Sequence, residues 1–189
     1  MKTKPFPFRK SLPIMVLFSL ACLILYIVSQ QVYRLSADDP QYQLATDYAQ
    51  AINQGTNPGI LINPAYTIEM GKSLSPFIII MDKNGKLLNS NATLNHIPQS
   101  FPKGLIDQTL KSGILARTWE PATGIREATV LTLAGQKKDI VVMAGRSLLK
   151  VEERIELLGE QILLGWGISL IIYGICLWIL EPASNQPGN

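Results

Sequence analysis

The chain has 189 residues, of which 47% are hydrophobic and only 16% are charged. This length allows one modest domain together with membrane segments. The net charge is +3, and the first ten residues alone hold four lysines and arginines, so the remainder carries no basic cluster of the kind that binds nucleic acid.

Residues 11–33 predict a first membrane span, preceded by a basic start at 1–10. The run contains no charged residue, and a charge at the centre of a span would cost about 3 kcal/mol. It exceeds the roughly 7–15 apolar residues of a cleaved signal peptide, and no clear cleavage site follows it, so we interpret it as an uncleaved anchor. By the positive-inside rule, the basic start lies in the cytoplasm.

The segment 34–150 is predicted to form one domain outside the cytoplasm. The first helix should break at 36–40, where Asp39 is a suitable N-cap and Pro40 a suitable first residue of a second helix. After that helix and a loop, an apolar strand is expected at 77–81. The dipeptide Asn84-Gly85 predicts a two-residue hairpin turn with positive φ, followed by a strand at 86–90.

The rest of this segment is predicted to hold one short helix and three strands. Residues 91–99 read as a connecting loop, and the helix at 101–111 ends at Gly113. The helix residues expected to face inward are Leu105, Ile106 and Leu110. Turns at 121–124 and 134–138, each with one glycine, separate the last three strands, which are expected at 114–120, 125–133 and 139–144.

The strand at 139–144, closed by Gly145, leads into a long predicted helix. Apolar residues recur along this helix at steps of three and four, namely Leu148, Val151, Ile155, Leu158 and Ile162. The exit helix at 151–160 continues into 161–180, a run of twenty residues without a charge, which is the length of a second span. The short tail at 181–189 then returns to the cytoplasm.

The apolar stripe of the exit helix needs a partner surface. We expect a homodimer through the exit helix and the second span, with the helix of the first span as the alternative partner. Gly167 and Gly174 share one face of the second span and favour close helix approach, although membrane helices also tolerate glycine without such a reason. Cys22 and Cys176 both lie in predicted spans, so the central domain has no disulfide and no thiolate metal site.

Two stretches of the sequence resemble the extracytoplasmic PAS-like or single-Cache sensor domains of bacterial histidine kinases and chemoreceptors. The first is FIIIMDKNGKLL at 77–88, which is similar to their opening hairpin of apolar strand, Asp-x-x-Gly and strand. The second is VMAGRSL at 142–148 with VEER at 151–154, which is similar to their last strand and exit helix.

This resemblance implies an α+β fold, in which a five-stranded antiparallel sheet with flanking helices lies between two transmembrane helices. It also implies a ligand pocket between the sheet and the loops and short helix on one face. Sensor kinases continue into cytoplasmic modules, whereas nine residues follow the second span here. We therefore expect the output to lie on a separate protein, such as a histidine kinase or a transporter. A remnant of a truncated sensor kinase is an alternative.

Three residues are candidates for ligand binding. Arg117 and Trp119 are two apart and share one strand face, and Arg126 follows across the turn at 121–124. Two guanidinium groups beside an indole would suit a carboxylate ligand. The alternative is that the arginines face solvent and Trp119 packs in the core. Tyr66 and His96 are further candidates on loops.

Catalysis and metal binding find little basis in the sequence. His96 is the only histidine and has no recognisable nucleophile or carboxylate partner, and clustered carboxylates for a hard metal ion are missing. We therefore expect no enzyme activity, no cofactor and no metal. The sequence indicates a two-span membrane sensor or accessory protein, with both termini cytoplasmic and a central domain that binds a small molecule or a partner domain. A structural protein of the cell envelope without a ligand is the alternative.

Overall fold

A computed structural model describes residues 8–63 and 65–180 of the chain. The predicted basic start up to residue 7 and the tail at 181–189 lie outside this range. The chain divides into two compact units, one comprising Tyr33–Glu153 and the other combining the described parts of Met1–Val32 and Arg154–Asn189.

Tyr33–Glu153 is built on β-strands. In chain order these are β1 (Ile68–Glu69), β2 (Phe77–Asp82), β3 (Leu87–Ser90), β4 (Ala92–Leu94), β5 (Ile97–Pro98), β6 (Ile114–Ala122), β7 (Ile125–Ala134) and β8 (Ile140–Ser147). Five of them form one antiparallel sheet in the order β3-β2-β8-β7-β6, and β1, β4 and β5 form a small second sheet. The predicted α+β class and the five-stranded antiparallel sheet are both present.

Three α-helices are described: α1 (Phe8–Asn53), α2 (Lys103–Ser112) and α3 (Leu149–Leu180). Within Tyr33–Glu153, the later part of α1 packs on one face of the large sheet and α2 with its neighbouring loops packs on the other. The first contact includes Ala45, Ala49 and Ile52, and the second includes Phe101 and Ile106. β2 and β8 are central and covered on both faces over most of their length, which agrees with the apolar runs at 77–81 and 140–145.

The predicted break at 36–40 is wrong, because α1 continues through Pro40 to Asn53. A proline inside a helix removes one hydrogen bond and costs about 3 kcal/mol. The residues that follow on one helical face, Gln41, Ala45 and Ala49, are all buried. Packing of this face against the sheet offsets the local preference of Asp39-Pro40 for a helix start.

The hairpin after β2 has a different turn from the predicted one. Gly85 N donates to Asp82 O at 3.0 Å, so the turn comprises residues 82–85, and positive φ is confined to Gly85, at 90°. The Asp82 carboxylate accepts hydrogen bonds from the backbone N–H groups of Lys86 and Asn84, at 2.8 and 2.9 Å. The Lys86 bond is the main cause of the lowered pKa of Asp82, which burial opposes. This Asp-centred turn places the single left-handed residue at Gly85.

Other element boundaries also differ from the prediction. The expected loop at 91–99 contains β4 and β5. On α2 the second buried residue is Thr109, whereas Leu110 is 38% exposed. Gly145 does not close β8, which continues to Ser147. A Cβ atom on Gly145 would lie 2.2 Å from the Phe77 ring, so the glycine allows that ring to approach the backbone of β8 closely.

The other unit contains the apolar parts of α1 and α3. Both helices are long and apolar enough to cross a membrane. Trp166 Nε1 on α3 donates to Ser19 Oγ on α1 at 2.9 Å, and a Cβ on Gly159 would lie 3.2 Å from the Tyr26 ring. Ile162, from the predicted apolar stripe, borders a groove shared with α1. This part of the stripe therefore faces α1 of the same chain, which is the alternative partner expected from the sequence.

Candidate functional site

Arg117 and Trp119 lie on one face of β6, as their spacing predicts. Trp119 is 8% exposed and packs in the core beneath α2. Arg117 is exposed, and its backbone carbonyl accepts a hydrogen bond from Thr129 Oγ1 at 2.7 Å. The two side chains therefore share a face but differ in environment.

Arg126 does not join them. It precedes Glu127 on β7, and Glu127 is paired with Trp119 across the strands, so Arg126 points to the opposite face of the sheet. Its guanidinium forms an ion pair with Glu152 in the first turns of α3. Arg126 therefore lies on the opposite side of the sheet from Arg117 and Trp119, so the predicted cluster of two guanidinium groups beside an indole does not form. The ligand-binding role of these residues stays a prediction.

Glu127 is the feature of this region that sequence reasoning missed. Its side chain is fully buried, and its cross-strand neighbours are Trp119 on β6 and Ser147 on β8. One carboxyl oxygen, Oε1, accepts a hydrogen bond from Gly71 N at 3.2 Å. The other, Oε2, is buried and has no partner among the described residues.

Burial sets the protonation of this carboxyl group. Removal from water raises the pKa of Glu127 to about 7, and the hydrogen bond from Gly71 opposes the rise. The Glu127 carboxyl group can therefore gain and lose a proton near neutral pH. A buried carboxylate with one hydrogen bond is unfavourable, so loss of the proton lowers the stability of the folded domain.

Glu127 lies beside the junction at which the sheet passes into α3. Leu148 is the single residue between β8 and α3, and its N–H donates to Arg126 O at 2.9 Å. Ser147 Oγ accepts from Leu149 N at 3.3 Å. Together with the Arg126–Glu152 ion pair, these bonds attach the first turn of α3 to β7 and β8.

The space in which the resemblance places a ligand pocket is occupied by side chains. Between the sheet and α2, four large apolar residues pack together, each at most 8% exposed: Met70, Phe101, Ile106 and Trp119. Tyr66 is 65% exposed. His96 is also exposed, and its backbone N–H donates to Glu69 Oε2 at 3.2 Å. Neither Tyr66 nor His96 belongs to the core between the sheet and α2.

Within the described ranges, no group of three or more histidine, cysteine, aspartate or glutamate side chains could hold a metal ion. The chain matches no protein-family model, no curated protein and no solved structure.

Proposed function

We propose that this chain is a non-enzymatic, two-span membrane protein of the sensor or accessory type. Its central domain binds a small ligand or a domain of another protein, and α3 transmits that event to an output protein in the same membrane, such as a histidine kinase or a transporter. The domain is of the PAS-like or single-Cache type and lies outside the cytoplasm, with both termini inside.

The observation that carries this proposal is the attachment of α3 to the sheet. β7 and β8 are neighbours in the middle of the domain, and the first turn of α3 is bonded to both. A movement of either strand would therefore act directly on the start of a helix that is apolar enough to enter a membrane. The antiparallel five-stranded sheet, which the sequence resemblance implies, also supports the assignment.

Two neighbouring glutamates in α3 allow a matched test. Glu152 pairs with Arg126 on β7, whereas Glu153 pairs with Lys150 within α3 itself. A photo-crosslinking amino acid at Ile171, an exposed position of the apolar part of α3, should capture the output protein in cell membranes. We expect Glu152→Gln to change the crosslinking yield about twofold or more and Glu153→Gln to leave it unchanged. Both ion pairs are exposed and contribute little stability, so a difference between the variants would reflect the connection of α3 to β7.

Equal yields in both variants and the parent would remove the sensor proposal and favour the structural envelope protein.

Topology is tested separately with single cysteines at Asn84 and Asn189 on a cysteine-free background. An impermeant thiol reagent should label intact cells only at Asn84→Cys, and the reverse pattern would invert the proposed orientation.

A further inference from the structure

A cleft in the central domain lies on the α1 side of the sheet. It is bordered by Pro40, Gln41, Leu44 and Asp47 of α1, by Pro76 before β2 and by Arg146 of β8, and its volume is about 270 Å³. Arg146 alternates along β8 with Gly145 and Ser147, so it points away from the face that holds Trp119 and Glu127. The cleft is therefore distinct from the pocket that the sequence predicts.

Gln41 is the unusual residue of this cleft. It is fully buried, yet neither its Oε1 nor its Nε2 has a hydrogen-bond partner among the described residues. An amide buried in this way is destabilising relative to one that is hydrogen-bonded. The helix face around Gln41 is otherwise occupied by small and apolar buried residues, so an apolar side chain would serve packing better. The side chain instead offers one acceptor and one donor group.

The cleft also carries one group of each charge. Arg146 is held by a hydrogen bond from its Nε to Leu74 O at 2.8 Å, which leaves its two terminal nitrogens without a partner in the described part of the chain. The carboxylate of Asp47 likewise takes part in neither of the ion pairs found in the described ranges. A guanidinium and a carboxylate that border one cleft without pairing are free to bind opposite charges of a ligand.

We propose that this cleft binds a small zwitterion that carries a carboxylate and an ammonium group, as a free α-amino acid does. Arg146 takes the carboxylate and Asp47 takes the ammonium group. The buried amide of Gln41 would join them through a change of side-chain rotamer on binding, after which Nε2 donates to the carboxylate and Oε1 accepts from the ammonium group. A simple anion would leave Asp47 and Gln41 Oε1 unused, and a simple cation would leave Arg146 unused.

The volume supports a ligand of this size. Clefts for drug-sized molecules hold roughly 300–1,000 Å³, and this one is slightly smaller. This inference rests on the proposed function, since it names the class of ligand that the sensor domain would bind.

The test uses the full chain in detergent and measures its unfolding temperature with the standard L-amino acids, each compared with its N-acetyl derivative and its methyl ester. We expect at least one free amino acid to raise the unfolding temperature. Both derivatives should fail, because each lacks one of the two charges. Titration calorimetry with the amino acid that gives the largest rise then supplies the affinity.

Three variants and one control locate the site. Asp47→Asn and Arg146→Met should each weaken binding at least tenfold, as the loss of a charge-assisted bond does. Gln41→Met should also weaken binding but raise the unfolding temperature without ligand by about 2–4 °C, because it removes a buried unpaired amide. Arg117→Met, on the other face of the sheet, should bind like the parent. Asp47 is exposed on α1, so its variant stays informative if Arg146→Met does not fold.

Two results would overturn the inference. One is that no free amino acid raises the unfolding temperature, or that the derivatives act as well as the parent compounds. The other is that Arg117→Met abolishes binding while Asp47→Asn keeps it, which would move the site to the face predicted from the sequence. Both leave the crosslinking test of the proposed function unaffected, since that test adds no ligand.

Discussion

At the scale of single residues, Glu127 makes the stability of the central domain depend on pH. Its pKa is raised to about 7 in the folded chain, against 4.5 for an ordinary glutamate. Below pH 4.5 the group is protonated in both the folded and the unfolded state, so it adds no pH dependence there. As the pH rises from 4.5 to 7, the unfolded chain releases the proton first, and the free energy of unfolding falls by about 3 kcal/mol, since one pKa unit corresponds to about 1.4 kcal/mol.

Glu127→Gln should remove this part of the pH dependence, because glutamine keeps the acceptor for Gly71 N and has no proton to lose. We expect the variant to resemble the parent near pH 4.5 and to be more stable above pH 7, as measured by denaturant unfolding of the full chain in detergent. Glu120→Gln is the matched control, since Glu120 also accepts one backbone hydrogen bond, from Gly124, but is exposed. A parallel shift of both variants would show that burial of Glu127 is not the cause.

The burial of Glu127 also shows why the candidate site was only half predictable. The period of two along a strand places Arg117 and Trp119 on one face without any further information. The same period cannot say which polar residue of β7 is buried, since Arg126 and Glu127 are adjacent and both charged. The difference depends on which face of β7 the rest of the chain covers, and Gly71, whose N–H donates to Glu127, is 56 residues away in sequence. The sequence offers one signal for the burial of Glu127, which is that this single glutamate stands between Arg126 and the largely apolar remainder of β7.

At the scale of elements, the strands were easier to predict than the helix boundaries. β2 and β8 contain apolar runs, which agrees with their central position and their cover on both faces, and such runs are visible in the sequence. The passage of α1 through Pro40 was not visible, because a local signal opposed it and packing on the sheet decided the outcome. β4 and β5 are two or three residues long and are held by pairing with each other and with β1, so they carry no periodicity of their own.

The pairing of β2 with β8 gives a prediction at this scale. Phe77 pairs with Gly145, and a methyl group on Gly145 would overlap the Phe77 ring. Gly145→Ala should therefore destabilise the domain by about 2–3 kcal/mol, as overpacking of a core does. In a Phe77→Leu background the same change should cost less, because the smaller side chain leaves room. Denaturant unfolding of the four chains gives the coupling energy, and additive effects would contradict the close approach.

At the scale of the whole molecule, the apolar helices expose large side chains that need a hydrocarbon environment. Leu17 of α1 and Leu163 and Leu164 of α3 are 66–69% exposed, and such side chains are stable in contact with lipid. Both helices are thus suited to the membrane in length, in composition and in surface. The homodimer expected from the sequence would have to use surface of this kind, because Ile162 borders the groove shared with α1 of the same chain.

Crosslinking in membranes distinguishes these arrangements. Ile162 borders the groove that α3 shares with α1, whereas Leu164 is 67% exposed and lies about 200° away around the helix. We expect Ile162→Cys copies, on a background without Cys22 and Cys176, to form little disulfide between chains, because α1 occupies that side. Leu164→Cys should crosslink if copies pair through α3.

Strong crosslinking at Ile162→Cys with none at Leu164→Cys would mean that a second copy, rather than α1, covers the stripe. Tyr26→Ala should then leave that crosslink unchanged, whereas in the arrangement described here it would open the groove beside Gly159 and raise crosslinking at Ile162→Cys.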